Sequence, residues 1–218
     1  MAELISADAE QYAEQHTTPL QGETAGIAAW TLANTPSPGM MSGLAEARLL
    51  EMLVVATRAR HVLEVGTFTG VGTLTMAAAL PAGGRVTTLE RDQAMAAVAQ
   101  RHFDENPVGD RIELIVGDAV QTIAELEGPF ELVYIDAAKI QYPDYFEGVL
   151  PKLAPHGVIV ADNLFRAGGT LDPSVTDEHT EGMRTFARAV QADDRVDNVL
   201  LTVGDGLMLA WHRLPAAR

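Results

Sequence analysis

Several features are absent from this chain of 218 residues, and each absence narrows what the protein is. It has no cysteine, which excludes disulfides and thiolate metal sites and fits the reducing cytoplasm, where we expect the protein. No apolar run approaches the roughly 18 to 20 residues that span a bilayer. The N-terminus also lacks the basic and apolar regions of a secretory signal. We therefore expect no membrane association.

Positive charge is scarce as well. Fifteen Lys and Arg residues stand against thirty Asp and Glu residues, which gives a net charge of −15. A surface of this sign repels phosphate backbones, so nucleic acid is not an expected partner.

What the chain does contain is an alternation of short apolar strands with helices, over a length typical of one domain, residues 1–218. Strands are predicted at His61–Val65, Arg85–Glu90, Arg111–Val116, Phe130–Ile135 and Gly157–Asp162. Helices are predicted at Ala2–Gln15, Glu23–Ala33, Leu44–Thr57, from Gly72 to Leu80, from Asp92 to Asp104, up to Leu126, from Pro143 to Leu153, and at His179–Gln191. Gly204–Gly206 between two apolar runs predicts a terminal hairpin. The pattern is typical of a doubly wound, Rossmann-like α/β sheet with an antiparallel hairpin at its end.

A glycine-rich segment, E-V-G-T-F-T-G, follows the first predicted strand, where such sheets bind ligands. Gly66, Gly70 and Gly72 allow a ligand to approach the backbone, but their spacing is not the G-x-G-x-x-G of dinucleotide folds. Glu64 would repel a phosphate and suits a cationic ligand such as S-adenosylmethionine (SAM). A nicotinamide dehydrogenase is therefore disfavoured, while a tight turn without any ligand stays open.

The ends of the next two strands complete a predicted nucleoside site. Glu90 is placed to accept hydrogen bonds from both ribose hydroxyls, and Asp118 and Ala119 are placed to line the adenine. The alternatives are a solvated strand end for Glu90 and a helix N-cap for Asp118.

Oxygen-bearing side chains follow the fourth and fifth strands. Asp136 directly follows the fourth strand, and Asp162 and Asn163 lie where the fifth strand ends. If these two strands are parallel neighbours, the three side chains come together. Such ligands favour Mg²⁺, with Mn²⁺ or Ca²⁺ as alternatives. Lys139 is placed to take a proton from a bound hydroxyl, and Tyr142 is expected only to pack. A helix cap at Asp136 and an Asx turn at Asp162 are the alternatives.

Taken together, these motifs resemble those of the cation-dependent O-methyltransferases, which include the caffeoyl-coenzyme A and catechol enzymes. The resemblance covers Met40 to Arg213 and adds M-M-S, Y-I-D-A-A-K, A-D-N and V-G-D-G-L to the glycine segment. It implies a seven-stranded sheet, a homodimer, and Asp136 and Lys139 as the catalytic pair. It implies metal ligation by Asp136, Asp162 and Asn163. Cofactor contacts are implied for Ser42, Glu64, Gly66, Thr67, Glu90 and Ala119, and Asp136 is grouped with them.

Departures from the plant enzymes narrow the expected acceptor. Ala138 replaces a carboxylate beside the cofactor, and the N-terminal lysine that meets coenzyme A has no counterpart. The chain resembles bacterial members that methylate a hydroxyl of small catechol-like aromatics or natural-product intermediates. Residues 1–40 are expected to shape the acceptor pocket or a dimer. A metal-independent methyltransferase of the same fold and a non-catalytic SAM-binding module are the alternatives.

Overall fold

The computed structural model describes residues 6–214, in which seven strands form one sheet. In chain order the strands are β1 (His61–Val65), β2 (Arg85–Glu90), β3 (Ile112–Val116), β4 (Phe130–Ile135), β5 (Leu153–Ala161), β6 (Val196–Leu201) and β7 (Leu207–His212). Their order across the sheet is β3-β2-β1-β4-β5-β7-β6. The first five strands run parallel, and β7 lies antiparallel between β5 and β6. The predicted doubly wound sheet with a terminal antiparallel hairpin is confirmed.

The strand order reverses between β1 and β4. In open parallel sheets the crevice at such a switch point is where ligands bind, because the flanking connections leave the sheet on opposite faces. The residues that follow β1 and β4 are the glycine turn and Asp136, so both halves of the predicted site start from this crevice.

Eight α-helices in the described residues cover the two faces of the sheet. They are α1 (Ala7–Gln15), α2 (Gly22–Asn34), α3 (Leu44–Thr57), α4 (Val71–Ala79), α5 (Gln93–Asp104), α6 (Ala119–Glu125), α7 (Tyr142–Val149) and α8 (Glu178–Ala192). Within residues 6–214, none of these helices has the length and apolar character that crossing a membrane requires.

Alternation along the strands builds a hydrophobic core on each face. In β1, Val62 packs with α3 and α4 on one face, whereas Leu63 and Val65 pack with α7 and α8 on the other. Because both faces are covered, the central strand β4 is apolar at every position except Glu131. A smaller cluster joins α2 and α5 to α4 around Phe103.

Two predicted boundaries are wrong. The helix that starts near Pro143 ends as an α-helix at Val149 rather than at Leu153, because Pro151 has no N–H to continue the helical hydrogen bonds. The fifth strand begins at Leu153 rather than at Gly157, with a register shift against β4 that accommodates the extra residues. The predicted helix Ala2–Gln15 is observed from Ala7, and its residues 2–5 lie outside the described residues.

Candidate active site

A cavity of about 1310 Å³ opens at the carboxyl ends of the parallel strands. Nearly all predicted site residues line it: Ser42, Glu64, Gly66, Thr67, Gly72, Glu90, Asp118, Ala119, Asp136, Lys139, Asp162 and Asn163. Gly70 is the exception. It is the N-cap of α4 in a left-handed conformation, and a Cβ there would lie 2.4 Å from the Phe103 ring, so glycine is needed there for packing.

The glycine turn brings the two halves of the site into contact. The Gly66 amide donates to the Leu89 carbonyl at 3.0 Å, and the Asp136 amide donates to the Val65 carbonyl at 2.8 Å. Gly66 has φ +104°, and a Cβ there would lie 2.0 Å from the Asp136 carbonyl oxygen. Only glycine therefore lets the turn after β1 lie against the residue that ends β4.

Glu64 lies beneath this turn and is 1 % exposed. Thr73 and Thr88 donate their hydroxyls to its Oε2, the latter at 2.5 Å. Burial raises the pKa of the Glu64 carboxyl to about 8, although the two hydroxyl donors oppose that shift. Its Oε1 would lie 3.0 Å from a Cβ at Gly72, so the missing side chain at that glycine makes room for the carboxyl at the cavity wall.

Backbone groups fix Glu90 at the cavity wall. Its Oε2 accepts from the Phe68 amide at 2.9 Å, and its Oε1 accepts from the amides of Arg91 and Asp92 at 2.8 and 2.9 Å. These three hydrogen bonds occupy most of the roughly four acceptor positions of a carboxylate, so contact with both ribose hydroxyls stays a prediction.

Thr67 and Asp118 also have local structural partners. Thr67 shares a 2.6 Å hydroxyl hydrogen bond with Thr88, and Asp118 caps α6 by accepting from the Gln121 amide at 3.2 Å. The N-cap alternative for Asp118 is therefore observed, and the same residue still lines the cavity beside Ala119.

Lys139 is the centre of the second half of the site. Its Nζ donates to Asp136 Oδ1 at 2.6 Å, to Tyr142 Oη at 2.8 Å and to Asn163 Oδ1. The structure thus brings together three residues that were predicted to act jointly. Tyr142 is fully buried, as expected, but packing is not its whole role, because its hydroxyl orients the lysine.

Asp162 belongs to a buried network that the sequence does not reveal. Its carboxyl lies beside that of Glu46 in α3, and Glu46 accepts from the Tyr134 hydroxyl at 2.8 Å. Ser42 lies 3.2 Å from the same hydroxyl, which connects the network to the predicted cofactor side. Burial, followed by the neighbouring Glu46 carboxyl, raises the pKa of Asp162 to about 9, and burial also raises the pKa of Glu46.

The predicted metal ligands form an all-oxygen set of two carboxylates and one carboxamide. Among residues 6–214, no group of three or more His, Cys, Asp or Glu side chains is arranged to hold a metal ion, and the third member of this set is an asparagine. The Lys139 ammonium lies between Asp136 Oδ1 and Asn163 Oδ1, where it occupies the place of a cation. The donor chemistry and the crowded carboxyl groups therefore fit a hard divalent cation.

Comparison with known proteins identifies the family. A family model described as O-methyltransferase matches residues 23–213. The chain belongs to the O-methyltransferase family. The predicted enzyme class is thereby confirmed.

Relatives of this O-methyltransferase match it over most of their length. A catechol O-methyltransferase of Niastella koreensis is 36% identical over 189 residues, covering 83% of this chain and 86% of that protein. An O-methyltransferase from Bacillus cereus, solved in complex with SAH, is 30% identical with a TM-score of 0.85, covering 94% of this chain and 97% of that one. The O-methyltransferase TomG from Streptomyces achromogenes was solved in complex with SAM and is involved in tomaymycin synthesis. It is 28% identical with a TM-score of 0.85, covering 97% of this chain and 99% of that one.

Proposed function

We propose that this O-methyltransferase transfers a methyl group from SAM to one hydroxyl of a small vicinal dihydroxy aromatic, or of a similar natural-product intermediate, with the help of a divalent cation. The relatives solved with SAM and SAH support the cofactor, and the catechol O-methyltransferase supports the acceptor class. The observation that carries the proposal is the cluster of Asp136, Asn163 and Tyr142 around Lys139 Nζ, on the wall of the same cavity as the glycine turn.

On the cofactor side, the proposed contacts have distinct tasks. Gly66 lets the turn lie against Asp136, and Gly72 makes room for the Glu64 carboxyl. Both glycines line the cavity with Ser42, Glu64 and Thr67, and this part of the wall would border the methionine part of SAM. Glu90 would hold the ribose, and Asp118 and Ala119 would lie along the adenine. Gly70 acts only through the position of α4.

On the acceptor side, Asp136, Asp162 and Asn163 would hold the cation, with Mg²⁺ favoured over Mn²⁺ or Ca²⁺. When bound, SAM supplies an electrophilic methyl group on its sulfonium, and a divalent cation stabilises the ionised form of an acceptor hydroxyl. Lys139, as the neutral amine, would receive the hydroxyl proton at Nζ as the C–O bond forms and the S–CH₃ bond breaks, which leaves the methylated acceptor and S-adenosylhomocysteine. Asp136 and Tyr142 keep that nitrogen in place, and much of the acceleration comes from holding the two reactants in line.

A metal-independent enzyme of the same fold is the second candidate. The observation that favours it is that the Lys139 ammonium already neutralises Asp136 and hydrogen-bonds Asn163. In that version Asp136, Asp162 and Asn163 are structural, and Lys139 alone acts on the acceptor.

Removal of divalent metal separates the two candidates. Purified enzyme with SAM and catechol is expected to lose at least about 100-fold in kcat after exhaustive chelation, because cation stabilisation of the developing charge is lost. Addition of Mg²⁺ to the chelated enzyme is expected to restore turnover, with a Ca²⁺ addition as the comparison. Turnover that persists in fully metal-free enzyme would establish the second candidate.

The two lysines of the chain provide a matched pair for the proton acceptor. Lys139→Gln is expected to lower kcat by about 10²- to 10⁴-fold with the dissociation constant for SAM unchanged, because it removes a general base. Lys152→Gln is the control, since Lys152 Nζ binds backbone carbonyls of α6 and Leu126, away from the cavity. A kcat for Lys139→Gln equal to that of the control would remove Lys139 from the mechanism.

The other expectations belong to the same proposal: one methyltransferase domain over residues 1–218, a homodimer and a cytoplasmic location. Residues of α1 and of the segment 36–41 line the cavity, which supports a contribution of residues 1–40 to the acceptor pocket.

A further inference from the structure

The loop that carries Asn163 has an unusual backbone. Asn163, Arg166 and Ala167 have φ values of +64°, +50° and +51°, and Gly168 follows with +87°. Residues other than glycine avoid this left-handed region because Cβ crowds the following carbonyl. Three such residues within five positions persist only where the surroundings hold them.

The turn between β6 and β7 provides those surroundings. The Leu164 amide donates to the Gly206 carbonyl at 2.9 Å, and the Phe165 amide donates to the Asp205 carbonyl at 2.8 Å. A Cβ at Gly206 would lie 2.6 Å from the Phe165 ring, so the two segments are in close contact. These interactions reach the loop only as far as Phe165.

The left-handed part of the loop has a different anchor. The Ala167 amide donates to Asp205 Oδ1 at 2.7 Å, which is the one described hydrogen bond from a side chain to the backbone of residues 166–168. The Arg166 guanidinium also donates to Asp177 Oδ1 at 3.3 Å, but that contact holds a side chain and not the backbone of the loop. The backbone interactions with residues 205 and 206 are available to many side chains at position 205, whereas this bond requires a short acceptor. Asp205 also lines the cavity, so it joins the hairpin, the loop and the site.

We propose that Asp205 is a positioning residue for the metal half of the site. Its carboxylate holds Ala167, and the loop thereby presents Asn163 Oδ1 toward Asp136 and Lys139. This inference rests on the proposed function, because it assigns Asp205 an effect on metal affinity through Asn163.

A direct electrostatic role is the competing explanation. Asp205 is close enough to Lys139 and Asp136 for their charges to act on its carboxyl group. Asn at position 205 separates the two explanations, because it keeps an Oδ1 acceptor for the Ala167 amide and removes the charge. Ala removes both.

The experiment measures Mn²⁺ and SAM dissociation constants of the full chain by calorimetry, together with kcat for catechol at rising Mg²⁺. Asp205→Ala is expected to raise the Mn²⁺ dissociation constant by about 10- to 100-fold, the range for residues that orient a metal ligand. Its SAM dissociation constant is expected to stay within about twofold of that of the parent, since the 10- to 100-fold range applies only to residues that orient a metal ligand. High Mg²⁺ is expected to recover most of its kcat.

Two further variants complete the comparison. Asp205→Asn is expected to bind Mn²⁺ within about threefold of the parent, well below the loss expected for Ala. Asp172→Ala is the matched control in the same region, because that carboxylate binds only Ser174 and none of residues 163–168. It is expected to bind Mn²⁺ as the parent does.

Each outcome decides the inference. A parent that binds Mn²⁺ together with an Asp205→Ala variant of equal affinity would overturn it and leave the proposed function intact. Equal losses of Mn²⁺ affinity in Asp205→Asn and Asp205→Ala would also overturn it, because they would show that the charge of Asp205 matters and its hydrogen bond to Ala167 does not. A parent that binds no divalent metal would overturn the metal-dependent function and this inference together. Where Asp205→Ala does not fold, Asp205→Ser replaces it, because its acceptor is one atom too short. Its Mn²⁺ dissociation constant is expected to lie between that of Asp205→Asn and a value about tenfold above that of the parent.

Discussion

Glu64 is a carboxyl group enclosed between the sheet and α4, with two threonine hydroxyls as its donors. Its folded-state pKa of about 8 lies above the ordinary 4.5. Between these values the folded state binds more protons than the unfolded state, so stability decreases as pH rises from about 5 to about 8. With about 1.4 kcal/mol per pK unit, the upper limit of this effect is on the order of 5 kcal/mol.

Replacement of the Glu64 carboxyl tests whether this group makes the stability decrease as the pH rises. We expect Glu64→Gln to flatten the decrease in unfolding free energy between about pH 5 and pH 8, because the amide does not titrate and still accepts the threonine hydroxyls. Urea unfolding of the ligand-free protein at several pH values measures the unfolding free energy. Glu125→Gln, at an exposed position of α6, is the control and should keep the slope of the parent. A slope unchanged in Glu64→Gln would mean that Glu64 is ionised in the folded protein.

Residue patterns revealed most of the site but not Glu46. Adjacency to strand ends was enough to find Asp136 and Asp162, because the ends of parallel strands meet at one edge of the sheet. Glu46 lies in the first turn of α3, four residues after the M-M-S motif, and none of the motifs includes it. The available signal was its helical spacing from Leu50 and Leu53, which places a carboxyl on the apolar face of the helix. Its partner Tyr134 gave no signal, since a tyrosine in a buried strand usually only packs.

At the scale of elements, the β1–α4 turn is the part that tolerates least change. We expect Gly66→Ala to lower the free energy of unfolding by about 3 kcal/mol or more, because the residue combines a left-handed backbone with a backbone clash. SAM binding should weaken as well, since Asp136 must move. Thermal and urea unfolding measure the stability.

Gly26→Ala is the matched control for that change. Gly26 lies inside α2 with nothing within 4 Å of the position of its Cβ, so alanine is expected to increase stability by up to about 1 kcal/mol. Similar effects of the two substitutions would contradict the close contact between Gly66 and Asp136.

The elements themselves were predictable to within a few residues, except around β5. Hydrophobic alternation and capping residues such as Asp92 define most boundaries locally. The start of β5 depends instead on pairing of Leu153 with Phe130, which no local pattern encodes. Pro155 lies inside β5, in the part of the strand where its register against β4 shifts.

At the scale of the whole molecule, the acidity of the chain continues into the cavity. Ten Asp and Glu side chains line it, against the two cations Arg91 and Lys139. Even with a divalent cation and SAM bound, the field favours a positively charged acceptor over a negatively charged one.

Three catechols that differ only in the end of a two-carbon side chain test this field: an amine, an alcohol and a carboxylate. We expect kcat/KM to be about tenfold or more higher for the amine than for the carboxylate at low ionic strength, with the alcohol between them. The difference should shrink at about 0.5 M salt because screening shortens the range of the field. Equal kcat/KM for all three at low salt would show that the cavity charge does not reach the acceptor.

The position of β7 makes the order of synthesis matter. β7 leaves the ribosome after the other six described strands, yet it covers the edge of β5, and the turn before it anchors the loop at Asn163. A nascent chain that ends at Leu201 already contains every proposed cofactor and metal ligand, but β5 still has an open edge. Open edges pair with other chains, so translation that stops there should give an inactive, aggregation-prone product. Residues 202–212 thus decide whether the ligands encoded earlier in the chain form a working site.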